Sequence, residues 1–168
     1  PNITTPANPK LEDLRPGPAF AQLMAELQSP EFARALGARF DLPLDTMPTT
    51  ITVRKYCERT DGDIHTDHRS KLLTVLLYFN PQWPSPEGRL RFLRAADDLD
   101  DYAAEVPPLA GTLLAFRRTD HSWHGHSRYV GERRMVQLNY LDPRPLALLQ
   151  QRAARLATHF MKDVLRLR

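Results

Sequence analysis

Five of the six histidines in this 168-residue chain fall in two short clusters, His65 and His68 within GDIHTDHRS and His121, His124 and His126 within DHSWHGHSR. His65 and Asp67 stand two residues apart. In an extended segment both side chains leave the same face, while Thr66 and His68 leave the other. An imidazole beside a carboxylate is two thirds of a metal-ligand set. A second histidine would complete three positions of an octahedron and leave the others open, the arrangement suited to a mononuclear Fe(II) centre. The open positions are the chemical point, because a bidentate 2-oxo acid and dioxygen can then meet on one ion. The third ligand has to come from the second cluster, since His159 lies in a stretch of helical periodicity. Parity there puts His124 and His126 on one face and His121 on the other, so the residues alone leave His124 and His126 as alternatives. An HxD pair by itself is also compatible with a surface turn or a hydrogen-bonded core histidine, so its surroundings decide how it is read.

Ligands drawn from distant segments need a scaffold of strands. After Pro48 the texture turns to period two and β-branched residues over residues 49–56 (TTITVRKY), and KLLTVLLYFN at 71–80 is apolar on both alternating faces, as in a strand covered on both sides. Further short strands are expected at 89–93, 112–116, 123–130 and 133–141, with a Pro-rich loop at 81–88. Before them, Phe20, Leu23, Met24 and Leu27 recur at helical spacing, and Ser29 and Pro30 can cap a second helix that runs through Phe40. Residues 1–18 carry five prolines and read as an irregular arm. Residues 145–168 place Leu146, Leu149, Ala153, Leu156, Phe160 and Val164 at helical intervals and predict an amphipathic helix packed on the sheet. Helices followed by many short strands, without βαβ alternation, predict a mostly β fold with flanking helices. That fold is a double-stranded β-helix, or jelly roll, with N-terminal and C-terminal helices on one sheet. The length fits a single domain of residues 1–168, divided into a lead-in with supporting helices (1–48), a jelly-roll core (49–142) and a C-terminal helix (145–168).

Composition narrows the function classes. At 42% hydrophobic and 26% charged residues the chain is ordinary for a folded domain, and no apolar run approaches the roughly 20 residues of a membrane span. Nucleic-acid binding is not expected, because 23 basic residues are interspersed with 20 acidic ones without a basic block. A single cysteine, Cys57, offers no internal disulfide and no structural zinc framework, which points to a reducing, cytoplasmic setting. The first residue is Pro rather than Met, leaving room for residues upstream, and nothing in the sequence speaks to oligomeric state.

In order along the chain, HTDHRSKLLTVLLYFN, PEGRLRFL, PLAGTLLAF and SWHGHSRYVGERRMVQLNYL resemble the prolyl 4-hydroxylase-like branch of the Fe(II)/2-oxoglutarate oxygenases, over about residues 53–141. The family's pattern is HxD, a strand ending Tyr-Leu-Asn, a Gly-Gly-x-Leu turn, a Pro-x-x-Gly strand entry, the distal histidine and a basic residue about nine positions later. The resemblance implies that His65, Asp67 and His124 hold the iron, with His124 preferred to His126. It implies that Arg133 takes the distal carboxylate of 2-oxoglutarate through paired guanidinium hydrogen bonds. Arg134 is the rival, but period two groups Arg133 with Met135 and Gln137 and leaves Arg134 with Val136 and Leu138 on the plainer core face. Tyr78 and Tyr56 match the family's pocket tyrosines, with Leu76 and Leu90 as apolar walls. The glycine pair is Glu87-Gly88 here, so the loop bordering the pocket is expected to differ in shape. Asp67 keeps a carboxylate where the family's halogenating variants vacate the position for a halide.

The implied activity is a dioxygenase that hydroxylates an unactivated C–H bond of a peptidyl proline, an amino acid or another small metabolite, releasing succinate and CO2, with ascorbate as a candidate reductant. Arg54 or Arg128 is expected at the pocket mouth to attract an anionic substrate. Two other readings keep the scaffold. One is a cupin-type metalloenzyme without 2-oxoglutarate, from which Arg133 discriminates; the other is a non-catalytic polyanion-binding domain.

Overall fold

The computed structural model describes residues 17–144; the C-terminal helix expected at 145–168 and most of the N-terminal arm lie outside the described residues. Two helices come first, α1 (Pro18–Leu27) and α2 (Pro30–Phe40). Both begin on a proline, whose fixed φ and missing N–H suit the first helical position. At α2 the Ser29 hydroxyl accepts from the Phe32 N–H at 3.1 Å, satisfying one of the donors a helix start leaves unpaired. A single 3-10 turn, Leu44–Thr46, leads into the strands.

Seven strands follow: β1 (Thr49–Cys57), β2 (Lys71–Tyr78), β3 (Leu90–Leu93), β4 (Tyr102–Val106), β5 (Leu113–Arg117), β6 (His124–Gly125) and β7 (Gly131–Leu141). They form a four-stranded sheet in the order β1-β7-β2-β5 and a three-stranded sheet in the order β4-β3-β6, and every strand pair is antiparallel. The fold is therefore mostly β with helices at the N-terminal side.

Alternation along β2 and β7 gives the larger sheet two different faces. Leu73 and Val75 of β2 and Val136, Leu138 and Tyr140 of β7 pack under Met24, Leu27, Ala33 and Leu44. The other face carries Leu76, Tyr78 and Met135, which meet Leu90 of the smaller sheet. Each fully buried Leu or Val contributes roughly 1.5–3 kcal/mol of transfer free energy. The helix-side cluster is thus the main stabilising layer, and it leaves the opposite face of the same strands free for polar residues.

Two expectations need correction. The strand expected at 123–130 is only His124–Gly125, because β6 pairs with β3 over Arg91 and Phe92 alone and the chain then leaves the sheet. β4 was not expected. Its DYAAEV stretch alternates weakly, and the strand forms by pairing with β3, where Glu105 accepts from Arg91 Nε at 2.7 Å and from Arg89 Nη1 at 3.3 Å.

Candidate active site

The two histidine clusters meet through the backbone. His65 N–H donates to His124 O at 3.0 Å and His124 N–H donates to His65 O at 2.9 Å, so the two residues face each other across an isolated antiparallel bridge. Their rings lie 4.3 Å apart between centroids. With Asp67 they offer three ligand atoms, all within 4.8 Å of one another.

Hydrogen bonds fix the direction of each ligand. His65 Nδ1 donates to the Asp63 carbonyl at 2.8 Å and His124 Nδ1 to the Ser122 carbonyl at 2.9 Å, which leaves Nε2 of both rings as the lone-pair atom. Asp67 is buried. Its Oδ1 accepts from Lys71 Nζ and its Oδ2 from Thr74 Oγ1, each at 2.5 Å. Burial pushes the Asp67 carboxyl up, but the charge and hydrogen bond of Lys71, with the Thr74 hydroxyl, outweigh it and hold the group below the usual carboxylate range. Burial lowers the His124 imidazole, helped by the positive charges of His65 and Lys71. Phe116 packs on the His124 ring at 4.8 Å. The donor set is therefore two oriented imidazoles and one ionised carboxylate, and it fits a divalent iron ion.

A cavity of about 340 Å³ opens on this cluster and is lined by every expected site residue except Arg128: His65, Asp67, His124, Arg133, Tyr78, Tyr56, Leu76, Leu90 and Arg54. Arg133 is the informative one. It is 7% exposed and donates from Nε to Gly88 O at 2.9 Å, from Nη1 to Met135 Sδ at 3.3 Å and from Nη2 to Tyr78 Oη at 3.3 Å. Its partners are a carbonyl, a thioether and a phenol; among the described residues no carboxylate pairs with it. Burying an unpaired cation is expensive, so the geometry leaves a place for an anion. Burial pushes the Tyr78 hydroxyl up against the opposing effect of Arg133, so it remains a neutral hydrogen-bonding group. Arg134, on the other face of β7, is exposed and pairs with Glu132 at 2.6 Å.

Arg128 does not reach the cavity. It is exposed, and the parity that grouped it with His124 fails because β6 ends at Gly125. His126 does line the cavity but stands apart from the three-ligand cluster. Its Nδ1 donates to Ser127 O at 2.9 Å and its Nε2 lies 3.9 Å from Cys57 Sγ. Burial first, and then the nearby Arg133 charge, lower its pKa to about 4. The ring lies where only glycine fits, since a Cβ on Gly62, at φ +102, would come within 2.5 Å of it.

Sequence reasoning missed three groups that hold Asp67. Thr74 shares the cavity face with Leu76 and Tyr78, so strand parity carried its signal. Lys71 carried none, because its approach to Asp67 depends on the turn between them. Arg118 donates from Nε to the Asp67 carbonyl at 3.0 Å, a long-range contact without local signature.

With this geometry in place, comparison with known proteins gives the class. The family model described as the 2OG-Fe(II) oxygenase superfamily matches residues 51–141, more than half of the chain, and the chain belongs to that superfamily. Among solved structures, a prolyl-4-hydroxylase from Pseudomonas putida is similar over 77% of this chain and 70% of its own, with 20% identity and a TM-score of 0.56. That likeness shows the fold, which is prolyl 4-hydroxylase-like. The hydroxypropylphosphonic acid epoxidase from S. wedmorenis matches less well, at 13% identity and a TM-score of 0.34 over 55% of this chain and 42% of its own. No curated protein matches. Membership in the superfamily implies Fe(II), 2-oxoglutarate and O2. Among the described residues, no helix is long and apolar enough to cross a membrane.

Proposed function

We propose that this chain is a 2-oxoglutarate-dependent hydroxylase, with His65, Asp67 and His124 holding Fe(II) and Arg133 with Tyr78 holding the distal carboxylate of 2-oxoglutarate. The two sheets are then the halves of a double-stranded β-helix, within one domain that spans residues 1–168. The observation that carries this reading is the buried Arg133 guanidinium without a carboxylate partner, on the same cavity as the His/Asp/His cluster. A metalloenzyme that lacks a 2-oxo acid gives that cation nothing to do, which disfavours the cupin-type alternative.

Bound iron and 2-oxoglutarate supply the oxidising chemistry, converting O2 and the 2-oxo acid to succinate and CO2 with hydroxylation of a C–H bond. The protein supplies the arrangement. The Asp63 and Ser122 carbonyls, by holding both Nδ1 atoms, leave the two Nε2 lone pairs to ligate the ion when it is bound, and Lys71 and Thr74 keep Asp67 ionised. Tyr78 and Arg133 would receive one carboxylate of the co-substrate, and Leu76, Leu90, Phe116 and Met135 of the same cavity would exclude water around it. Tyr56 adds a polar group to the wall, and ascorbate would serve as reductant. The substrate is a peptidyl proline, an amino acid or another small metabolite in a cytoplasmic setting.

Succinate release from 2-oxoglutarate in the presence of Fe(II) and O2 tests the reading. The wild-type chain is expected to release it, and Arg133→Gln to require roughly 10- to 100-fold more 2-oxoglutarate for the same rate. Equal 2-oxoglutarate dependence in the two proteins would remove Arg133 from the site.

A further inference from the structure

Two groups on the rim of the cavity have bonding capacity that the rest of the described chain leaves unused. Arg54, on β1, lines the cavity with its side chain 37% exposed. Its hydrogen bond among the described residues runs from Nη1 to Asp61 Oδ1 at 3.2 Å, and those residues leave the rest of the planar fork open. Asp61 is buried and locked in a turn: its N–H donates to Glu58 O at 2.9 Å and its Oδ2 accepts from Glu58 N–H at 2.9 Å. Asp61 therefore fixes where Arg54 sits. The second group is Asp63, exposed on the same cavity, whose carboxylate makes no hydrogen bond or ion pair among the described residues although its carbonyl orients His65.

Charge decides what these two groups can receive together. With Arg133 matched to 2-oxoglutarate, the described residues of the rim supply one cation, Arg54, and two carboxylates, Asp61 and Asp63. A ligand that is only anionic would meet Arg54 but add charge beside both carboxylates. One that is only cationic would meet Asp63 and be opposed by Arg54. A blocked peptide backbone carries no charge for either. A zwitterion puts a carboxylate on the open fork of Arg54 and an ammonium before Asp63, and leaves the rim no more charged than before.

We propose that the substrate is a free α-amino acid, its carboxylate held by Arg54 and its ammonium faced by Asp63. The proposal rests on the oxygenase reading above. It makes Arg54 and Asp63 specificity-determining residues, with Asp61 as the group that positions Arg54.

The test measures succinate release by the Fe(II)-loaded protein with 2-oxoglutarate in air, over a panel of the common free L-amino acids. The best stimulator is then compared with its carboxamide, its N-acetyl form and an N-acetylated, C-amidated peptide that contains the same residue. The free amino acid is expected to exceed each blocked form in kcat/KM by roughly 10- to 100-fold. Arg54→Gln should abolish discrimination against the carboxamide while keeping that against the N-acetyl form, and Asp63→Asn should do the reverse. General damage to the pocket would instead lower all four substrates in parallel. The proposal is overturned if no free amino acid raises succinate release, if the blocked peptide stimulates as well as the free form, or if both variants keep the wild-type discrimination. A wild-type protein that neither releases succinate nor binds 2-oxoglutarate by calorimetry would defeat the oxygenase reading itself and this proposal with it. Binding of 2-oxoglutarate without amino-acid stimulation would defeat only the proposal.

Discussion

The two faces of the β2–β7 strand pair are built from alternate residues of the same strands and serve opposite ends. Toward the helices β7 presents Val136, Leu138 and Tyr140, all buried in the apolar cluster. Toward the cavity it presents Arg133, Met135 and Gln137. Thr74, Leu76 and Tyr78 of β2 stand opposite Leu73 and Val75 in the same way. One face holds the fold together, so the other can carry a buried cation and a polar chain in which Thr74 bridges Asp67 and Asn139. Stability and ligand binding should therefore separate by residue parity.

The largest effect belongs to the helix face. Leu138→Ala is expected to cost about 2–5 kcal/mol in urea unfolding, as for other large-to-small changes in a core, while calorimetry finds 2-oxoglutarate affinity per folded molecule unchanged. A comparable loss of affinity would mean that the faces are coupled.

Next comes an acid-labile stability confined to the cavity face. His126 has a folded pKa of about 4 and His124 is also lowered, against an ordinary value near 6.5 in the unfolded chain. The unfolded chain takes up protons first, so this stability is whole above pH 6.5 and is lost as pH falls toward 4. The slope should be about 1.4 kcal/mol per pH unit for His126 in chelator-treated protein, with a contribution of the same sign from His124. Replacing His126 with Leu should remove one histidine's share of the slope; an unchanged slope would contradict the assignment.

Arg133→Met should do the opposite of Leu138→Ala. 2-Oxoglutarate affinity is expected to fall roughly 10- to 100-fold in calorimetry, while unfolding free energy holds or rises because an unpaired buried charge is removed. Marked destabilisation would assign Arg133 to the scaffold. The smallest effect is expected at Thr74→Val, which deletes a hydrogen bond to Asp67 without changing shape. Fe(II) affinity should fall about tenfold in competition with a chelator, and an unchanged affinity would show that Lys71 alone orients the carboxylate.

The same contrast explains what was legible in the sequence. β2 and β7 are long and paired along their length, so period two gave their faces, and with them the roles expected of Arg133 and Arg134. β6 has two residues, too few for alternation to separate His124 from His126 or to say where Arg128 points. What distinguishes His124 is its backbone bridge to His65, a contact across 59 positions that neither segment encodes alone. The rim followed the same logic. Arg54 was legible by parity on β1, whereas Asp61 and Asp63 sit in an irregular segment whose course depends on its packing against His126 and Gly125.

Visible absorption of the anaerobic protein with Fe(II) and 2-oxoglutarate tests the central claim most directly, through the weak metal-to-ligand charge-transfer band of the chelate. The band is expected in the wild-type chain and in His126→Ala, and should be absent in His124→Ala. No band in the wild-type protein, or one that survives in His124→Ala, would contradict the site described above.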